Sequence, residues 1–455
     1  MSTVELGNVL PLWSCIPFVG MLLSIAIFPL IKPDWWDSHK QYAVIFWSLL
    51  FAIPFAIRYG AGTAANQVLE SVIGDYLTFI VLLFGLFCVA GNIVLEGELI
   101  GGPKLNVIML ALGTLLSSWI GTTGASMVMI RPIIRANSWR SRRRQIIIFF
   151  IFMVSNLGGC LTPVGDPPLL MGFMRGVPFF WSLKLFPIML FNMAVLLIIF
   201  YVLDERAYRK DIQAGYRPNL NPKNGKVQLR GIHNIVFLAI IVFSVVLSGI
   251  LPKSPLFQAA DGSVIGIHIY GDVTLTIPSI IEIAIILVCA WLSFKTTPNS
   301  VRESNHFSWD AIKEVAILFI GIFITMIPAL LILQAKGSTL GLNQPYQMFW
   351  MTGALSSFLD NTPTYLVFAT TAGSLGATAG IATSLGIIAP KMLMAVSCGA
   401  VFMGANTYIG NAPNFMVRSI AEENGIVMPS FFGYMLWSVC ILIPVFILDT
   451  LIFFL

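Results

Sequence analysis

Long apolar segments separated by short polar ones dominate this chain. Ten of them approach or exceed the roughly 20 residues that an α-helix needs to cross ~30 Å of hydrocarbon. These segments lie near 11–31, 42–59, 73–95, 145–174, 182–203, 231–251, 276–296, 312–334, 388–420 and 430–454. The pattern predicts an all-α polytopic membrane protein with about ten spans.

Four apolar regions do not fit a simple span. Gly, Pro and polar residues interrupt 145–174 and 388–420, which we predict to be broken helices. The regions 105–135 and 342–375 each have two legs of about 12 to 17 residues around a polar tip, which is typical of re-entrant hairpins. Broken backbone at membrane depth persists only where protein or a bound solute satisfies its N–H and C=O groups, so these regions are candidate binding sites.

Basic residues indicate the orientation of the spans. They cluster at 135–144 and in the polar loop 204–230, whereas the loop 252–275 contains only Lys253. The positive-inside rule therefore predicts that the first two segments are cytoplasmic and the third is external. Counting spans from these loops predicts that both termini lie outside the inner (plasma) membrane.

The two halves of the chain repeat the same motifs. Val164–Pro168 matches Ile409–Pro413 at an offset of 245 residues, and Ser117–Thr123 matches Ser356–Thr362 at an offset of 239. Since the two hairpins are predicted to enter from opposite sides, the pattern indicates an inverted-repeat secondary transporter. The predicted repeats are 41–203 and 276–455, with an N-terminal span in 1–40. Residues 204–275 hold the basic loop, the linking span 231–251 and the external loop.

Composition excludes several other classes of protein. The chain is 57% hydrophobic and 10% charged, against ~25% charged in soluble domains. The six cysteines are isolated in apolar segments, which predicts neither a disulfide framework nor a zinc site. No catalytic triad and no nucleotide-binding motif is present, so we predict neither an enzyme nor an ATP-driven pump. The net charge of +5 comes mostly from basic loops and does not indicate a nucleic-acid partner.

The candidate binding residues are the polar side chains at the breaks and hairpin tips. Their hydroxyl, amide and carboxylate oxygens are hard ligands that replace the hydration shell of Na⁺ or Li⁺. A first site would combine Thr122, Thr123, Ser126, Ser155, Asn156, Thr162 and Asp166. A second site would combine Asp360, Asn361, Thr362, Asn406, Thr407 and Asn411.

Asp166 and Asp360 are the most informative of these residues. A carboxylate at membrane depth costs roughly 2.5–3.5 kcal/mol, so a functional role is expected, and such a group suits the exchange of a proton for a cation. We predict Asp166, Asp360 and Asn361 as Na⁺ ligands. Asp166 precedes Pro167-Pro168 and is also a candidate helix N-cap. A role for Glu282 in proton transfer stays open.

Two motifs carry a resemblance to a known family. Ser155-Asn-Leu-Gly-Gly-Cys-Leu-Thr-Pro-Val-Gly-Asp-Pro-Pro168 resembles the broken-helix signature of the ArsB/NhaD branch of the ion transporter superfamily, and Phe358-Leu-Asp-Asn-Thr-Pro363 resembles its hairpin signature. The resemblance covers roughly 40–455 and implies secondary transport, a scaffold with a moving part, and often a homodimer. NhaD-like members tend to carry Asp-Asn in the first hairpin as well, where this chain has Gly121-Thr122-Thr123. This variant resembles a subgroup labelled as sodium:proton antiporters or citrate transporters.

Two functions follow as expectations. The first is a Na⁺(Li⁺)/H⁺ antiporter that works by alternating access, with Asp166 and Asp360 as its titrating ligands. The alternative is a sodium- or proton-coupled carrier of citrate, another carboxylate or an arsenite-type oxyanion. Either function needs no cofactor beyond Na⁺ and H⁺ as transported or coupling ions, and its partners are the lipid bilayer and the small solute.

Overall fold

Helices make up most of the computed structural model of this protein. It describes residues 3–97, 99–218, 228–259, 262–305 and 307–455, so Lys223 and Lys226 of the predicted basic loop lie outside the described residues. In these ranges nine helices are long and apolar enough to cross a membrane, or up to ten if a bent pair counts as one span. The prediction of an all-α polytopic membrane protein with about ten spans is confirmed.

The described part of the chain contains twenty α-helices and six short strands. The first ten helices are α1 (Thr3–Val9), α2 (Ile16–Ile31), α3 (Pro33–Tyr59), α4 (Ala61–Leu69), α5 (Leu77–Ala90), α6 (Pro103–Ile120), α7 (Thr122–Ala136), α8 (Arg144–Met153), α9 (Pro167–Met174) and α10 (Phe186–Gln213). The other ten are α11 (Asn234–Ile250), α12 (Ile277–Thr296), α13 (Asn299–Ser304), α14 (Asp310–Thr325), α15 (Ile327–Lys336), α16 (Pro345–Ser356), α17 (Asn361–Gly373), α18 (Pro390–Met403), α19 (Ala412–Glu423) and α20 (Phe431–Asp449). Three separate antiparallel pairs join β1 (Val94–Glu96) to β2 (Gln228–Arg230), β3 (Gly266–Tyr270) to β4 (Val273–Thr276), and β5 (Ile381–Thr383) to β6 (Gly386–Ile388).

Several spans are longer or less regular than the hydrophobic pattern predicts. A π-helical segment, Glu70–Tyr76, joins α4 to α5 in one long helical stretch. A 44° bend separates α14 from α15, where Pro328 near the start of α15 lacks the N–H that a continuous helix needs. The predicted loop 204–230 is wrong in its first part because α10 continues to Gln213. The charged residues between 204 and 211 are helical, and two of them, Asp204 and Asp211, are buried in ion pairs with Arg140.

The two predicted hairpins are helix pairs with a sharp turn between their legs. Gly121, with φ +81°, separates α6 from α7, and Asp360 caps the start of α17 after the turn that follows α16. Only a residue without Cβ adopts that φ freely, which accounts for glycine at the first tip. The predicted leg length is wrong for α6, which has 18 residues and is long and apolar enough to span a membrane.

The two predicted broken helices form the centre of the protein. Short 3₁₀ segments, Leu157–Leu161 and Gly404–Asn406, follow α8 and α18, and a short turn or bend then leads into α9 and α19. Both α8 and α18 are buried along almost their entire length. Each hairpin also packs against the broken helix of the other half, α7 against α19 and α17 against α9. The same order of elements therefore occurs in both halves, while the exact repeat boundaries stay a prediction.

Glycines allow two backbone segments of each broken helix to lie in contact. A Cβ on Gly165 would lie 2.4 Å from the carbonyl oxygen of Gly159, and a Cβ on Gly410 would lie 2.5 Å from that of Gly404. Real Cβ atoms do not approach an oxygen so closely, and both contacts are with backbone, which cannot rotate away. The matching glycine pairs lie 245 residues apart in the two halves.

Three hydrogen bonds join segments that the predicted topology places on one face. The N–H of Asp272 donates to Asn66 Oδ1, Lys336 donates to the carbonyl oxygen of Asn8, and Lys391 donates to that of Leu455. On the opposite face, Arg144 bonds to Val427 and Arg230 pairs with Glu96. This grouping agrees with the predicted topology, and which face is cytoplasmic stays a prediction.

We expect single cysteines at Ser141 and Gln258, both exposed, to react from opposite sides of the membrane. The variants Ser141→Cys and Gln258→Cys would carry Cys440→Ser, because Cys440 is an exposed native thiol. In intact cells a membrane-impermeant maleimide should label position 258 and spare position 141, and inverted vesicles should give the reverse. The Cys440→Ser background alone is the control. Labelling of both positions from one side would contradict the topology.

We expect Gly165→Ala to destabilise the protein by about 1–3 kcal/mol, since the added methyl group overpacks a site lined by backbone. Gly62→Ala is the matched control, because its Cβ would meet a single atom, the Tyr270 hydroxyl, at 3.4 Å, and alanine favours the helix α4. Thermal unfolding of both purified variants, followed by size-exclusion chromatography of the heated protein, measures the difference. Equal melting temperatures for the two variants would show that the break is not tightly packed.

Candidate transport site

The starts of four helices meet at the centre of the protein. They are the second legs of the two hairpins, α7 and α17, and the second parts of the two broken helices, α9 and α19. The side chain of Asp166, which directly precedes α9, connects all four. Because each helix presents its N-terminal end, the polar groups around this carboxylate are mainly donors.

Asp166 is 1% exposed and accepts three side-chain hydrogen bonds. Thr122 Oγ1 donates to Oδ1 at 2.9 Å, Asn361 Nδ2 donates to Oδ2 at 3.3 Å, and Asn411 Nδ2 donates to Oδ1 at 3.4 Å. All three donors are neutral, and no Lys or Arg among the described residues pairs with this carboxylate. The buried charge is therefore compensated by dipoles alone, which makes its neutralisation by a proton or a cation favourable.

These contacts correct the prediction of two separate sites. Thr122 and Asp166 were expected in one site and Asn361 and Asn411 in the other, yet the Asp166 side chain joins all four. The reason is the packing of each hairpin against the broken helix of the other half, which a comparison of the halves does not reveal.

Asp360 has a different environment from Asp166. Its side chain is only partly buried, and Oδ1 accepts the N–H of Thr362 at 2.9 Å, as an N-cap of α17 does. Asp166 also precedes a helix, but its side chain makes no such cap and is used for the bonds to the other elements. The capping role considered for Asp166 is therefore filled by Asp360.

Paired serines attach each hairpin to its own broken helix. Ser118 Oγ donates to the carbonyl oxygen of Gly158, and Thr162 Oγ1 donates to that of Ser118. In the second half Ser357 Oγ donates to Met403 O at 3.2 Å, and Thr407 Oγ1 donates to Ser357 O at 2.5 Å. The serine hydroxyls thus satisfy carbonyl groups of the broken helices, and the threonine hydroxyls satisfy carbonyl groups at the ends of the first hairpin legs.

Amide side chains link the breaks of the two halves. Asn411 Nδ2 also donates to Ser155 O at 3.1 Å and to Asn156 Oδ1 at 3.3 Å. Asn156 Nδ2 donates to Asn414 Oδ1 at 2.7 Å, and Asn414 Nδ2 donates to the carbonyl oxygens of Gly404 and Thr407 at 2.8 and 2.9 Å. Asn414 is not among the predicted site residues. The sequence does contain a sign of its role, because Asn414 is a second amide side chain three residues after Asn411 at the same break.

The remaining predicted residues surround this network. Ser126 and Ser155 share a hydroxyl–hydroxyl bond of 2.9 Å, and Thr123 is half-buried at the start of α7. Asn406 Nδ2 donates to Ser357 Oγ at 2.9 Å. Within the described ranges, Asn406 Oδ1 and Thr362 Oγ1 are buried without a hydrogen-bond partner. These two oxygens have unused capacity as acceptors for a cation or a donor group.

Glu282 does not belong to this network. It is 4% exposed in α12, which packs against α5 and α11 rather than against the broken helices. No hydrogen bond joins it to the predicted site residues described above.

Comparison with known protein families identifies the family of this chain. A family model described as "Putative citrate transport" matches residues 7–454, which is nearly the whole chain. No curated protein matches the chain. The ArsB/NhaD branch and the antiporter label stay predictions, whereas the match agrees with the citrate-transporter label of the subgroup. This chain therefore belongs to the citrate transport family that the model describes, and it is a multi-pass membrane protein of the secondary-transporter type.

Proposed function

We propose that this protein carries citrate or a closely related small carboxylate across the membrane, coupled to Na⁺ or H⁺ through Asp166. The observation that carries the proposal is the meeting of four helix starts around one buried carboxylate that has only neutral donors. The family match supports the choice of substrate.

The helix starts favour an anionic substrate. Each N-terminal helix end carries roughly half a positive charge. The starts of α7, α17 and α19 also present N–H groups, whereas Pro167 and Pro168 at the start of α9 have none. Thr123, half-buried at the start of α7, and the Thr362 hydroxyl, which has no partner in the described structure, add donors beside these ends. A carboxylate substrate is thereby stabilised without Lys or Arg side chains.

Asp166 makes binding of that anion depend on a coupling ion. Two like charges about 5 Å apart repel each other by about 3 kcal/mol at an effective dielectric constant of ~20. A substrate carboxylate therefore binds weakly while Asp166 is ionised and tightly once a proton or Na⁺ neutralises it. Since linkage is reciprocal, the substrate also promotes binding of the coupling ion.

Na⁺(Li⁺)/H⁺ antiport is the second candidate function. It is favoured by the absence of a basic partner for Asp166 in the described residues and by the unused oxygens of Asn406 and Thr362. A site of hard oxygen ligands with a titrating carboxylate is sufficient for exchange of a cation and a proton. This function differs from the first in requiring no carboxylate substrate.

Purified protein in liposomes distinguishes the two functions. We expect radiolabelled citrate to accumulate when a Na⁺ gradient or an inward proton gradient is imposed and to equilibrate without accumulation when neither is present. A dye for internal pH reports the second function in the same vesicles. Collapse of the proton gradient by Na⁺ or Li⁺ without citrate, and no citrate uptake, would reject carboxylate transport in favour of antiport.

We expect Asp166→Asn to abolish accumulation of citrate while it retains citrate binding. Asparagine is neutral and similar in size, so it imitates the neutralised aspartate and removes the ~3 kcal/mol repulsion permanently. Citrate affinity should then lose its dependence on Na⁺ and pH, a dependence that is roughly 100-fold in the unmodified protein by the same repulsion. Isothermal titration in detergent measures this dependence, and an unchanged dependence in the variant would exclude Asp166 as the coupling group.

Asp360→Ser is the matched variant, because serine retains the N-cap of α17. We expect it to keep the Na⁺ or proton dependence of citrate uptake, with a loss of stability below about 1 kcal/mol. If this variant folds and loses coupling, Asp360 is itself a coupling ligand, as the sequence predicts.

A further inference from the structure

A cavity of about 610 Å³ opens on the face of the protein that holds Arg144 and Val427. It lies between the start of α8, the extended end of α10, the segment 425–427 and the first part of α20. Its lining residues are Ser141, Arg142, Arg143, Arg144, Gln145, Leu203, Arg206, Ala207, Lys210, Gly425, Ile426, Val427 and Trp437. None of the residues used in the transport site is among them.

The lining contains five cationic side chains and no acidic one. Arg142 pairs with Asp211 at 3.0 Å, and Arg144 Nε donates to Val427 O at 2.8 Å. Arg143, Arg206 and Lys210 form no ion pair with any described residue. The cavity therefore has an excess of positive charge that nothing in the described protein neutralises.

The start of α8 adds to this charge. Arg144 and Gln145, the first two residues of this ten-residue helix, line the cavity. The helix has no acidic side chain in its first turn and no side-chain cap, so no side chain compensates the partial positive charge of its N-terminal end. Burial lowers the pKa of the neighbouring Arg143 guanidinium. A bound anion would form an ion pair with the desolvated guanidinium and accept hydrogen bonds from the free N–H groups at the helix start.

A buried ion cluster holds the basic residues in place. Arg140 Nη2 lies 2.8 Å from Asp204 Oδ1 and Arg140 Nε lies 3.4 Å from Asp211 Oδ2, with the side chains of all three fully buried. This cluster joins the segment before α8 to the extension of α10, which carries Arg206 and Lys210. The cations are thus presented from two fixed elements rather than from a mobile loop.

The other wall of the cavity is apolar and leads toward the lipid-facing surface. Leu203, Ile426, Val427 and Trp437 line it, and Trp437 lies within the first two turns of α20. Both α10 and α20, which contact each other, expose large apolar side chains nearby: Ile198, Val202, Leu436 and Val439. A ligand with an anionic head and long apolar chains fits these two surfaces together.

We propose that this cavity binds the phosphate-bearing headgroup of an anionic phospholipid whose acyl chains lie along α10 and α20. The basic side chains and the start of α8 contact the phosphate, and Leu203 and Trp437 contact the glycerol and upper acyl region. Basic pockets between membrane helices are suited to such headgroups by charge and by position.

Thermal unfolding of the full-length protein in detergent tests the proposal. We expect dioleoyl phosphatidylglycerol to raise the melting temperature and dioleoyl phosphatidylcholine, with the same acyl chains, to raise it much less, since a ligand of the folded state stabilises by mass action. The triple variant Arg143→Gln, Arg206→Gln, Lys210→Gln should lose more than half of the phosphatidylglycerol shift. The control variant Arg58→Gln, Lys253→Gln, Lys313→Gln removes the same charge from exposed positions outside the cavity and should keep the full shift.

Two results would overturn the proposal. One is an equal phosphatidylglycerol shift in the two triple variants, which would mean that the lipid acts elsewhere or through total charge. The other is a shift with inorganic phosphate or citrate that matches the phosphatidylglycerol shift and disappears in the cavity variant, which would assign the cavity to a soluble anion. The readout does not require transport, so it is independent of the proposed function.

Discussion

The structure depends on the pairing of backbone polar groups where helices are interrupted at membrane depth. An unpaired N–H or C=O there is disfavoured by several kcal/mol, since hydrocarbon offers no partner. The protein supplies the partners from the hairpins: Ser118 and Ser357 each bond to a carbonyl at the end of the first part of a broken helix. The hairpins must therefore reach the centre of the protein, and the glycines of the breaks must let backbone approach backbone.

Within this symmetric frame the chemistry is asymmetric. Asp166 and Asn411 occupy matching positions, 245 residues apart, and an amide at one of them donates to the carboxylate at the other. Two carboxylates this close would repel each other, whereas an acid and an amide form a hydrogen bond. The difference between the halves thus stabilises their contact, and it leaves the site with one carboxyl group at its centre.

The sequence predicts much of this arrangement because Gly, Pro and polar residues within apolar segments are unusual and few. It locates the hairpins, the breaks and most side chains of the network. It does not predict that Asp166 meets Asn361 and Asn411, because that contact depends on how the halves pack. It also does not predict the end of α10, since Asp204 and Asp211 resemble loop residues until Arg140 is seen beside them. It also does not distinguish Asp166 from Asp360, because both precede a helix. Only the structure shows that the Asp360 side chain caps α17 whereas the Asp166 side chain makes no cap of α9.

The serine contacts have a mechanical consequence. Ser118 and Thr162, and likewise Ser357 and Thr407, join each hairpin to its broken helix by two hydrogen bonds. Any displacement that preserves these bonds therefore moves hairpin and broken helix as a single body. The contacts between this body and the rest of the protein must then change. One of these is the ion pair of 2.5 Å between Arg175, just after α9, and Asp75, in the segment between α4 and α5. Movement of a hairpin together with its broken helix therefore changes contacts at the edge of this body and keeps the hydrogen bonds at its centre.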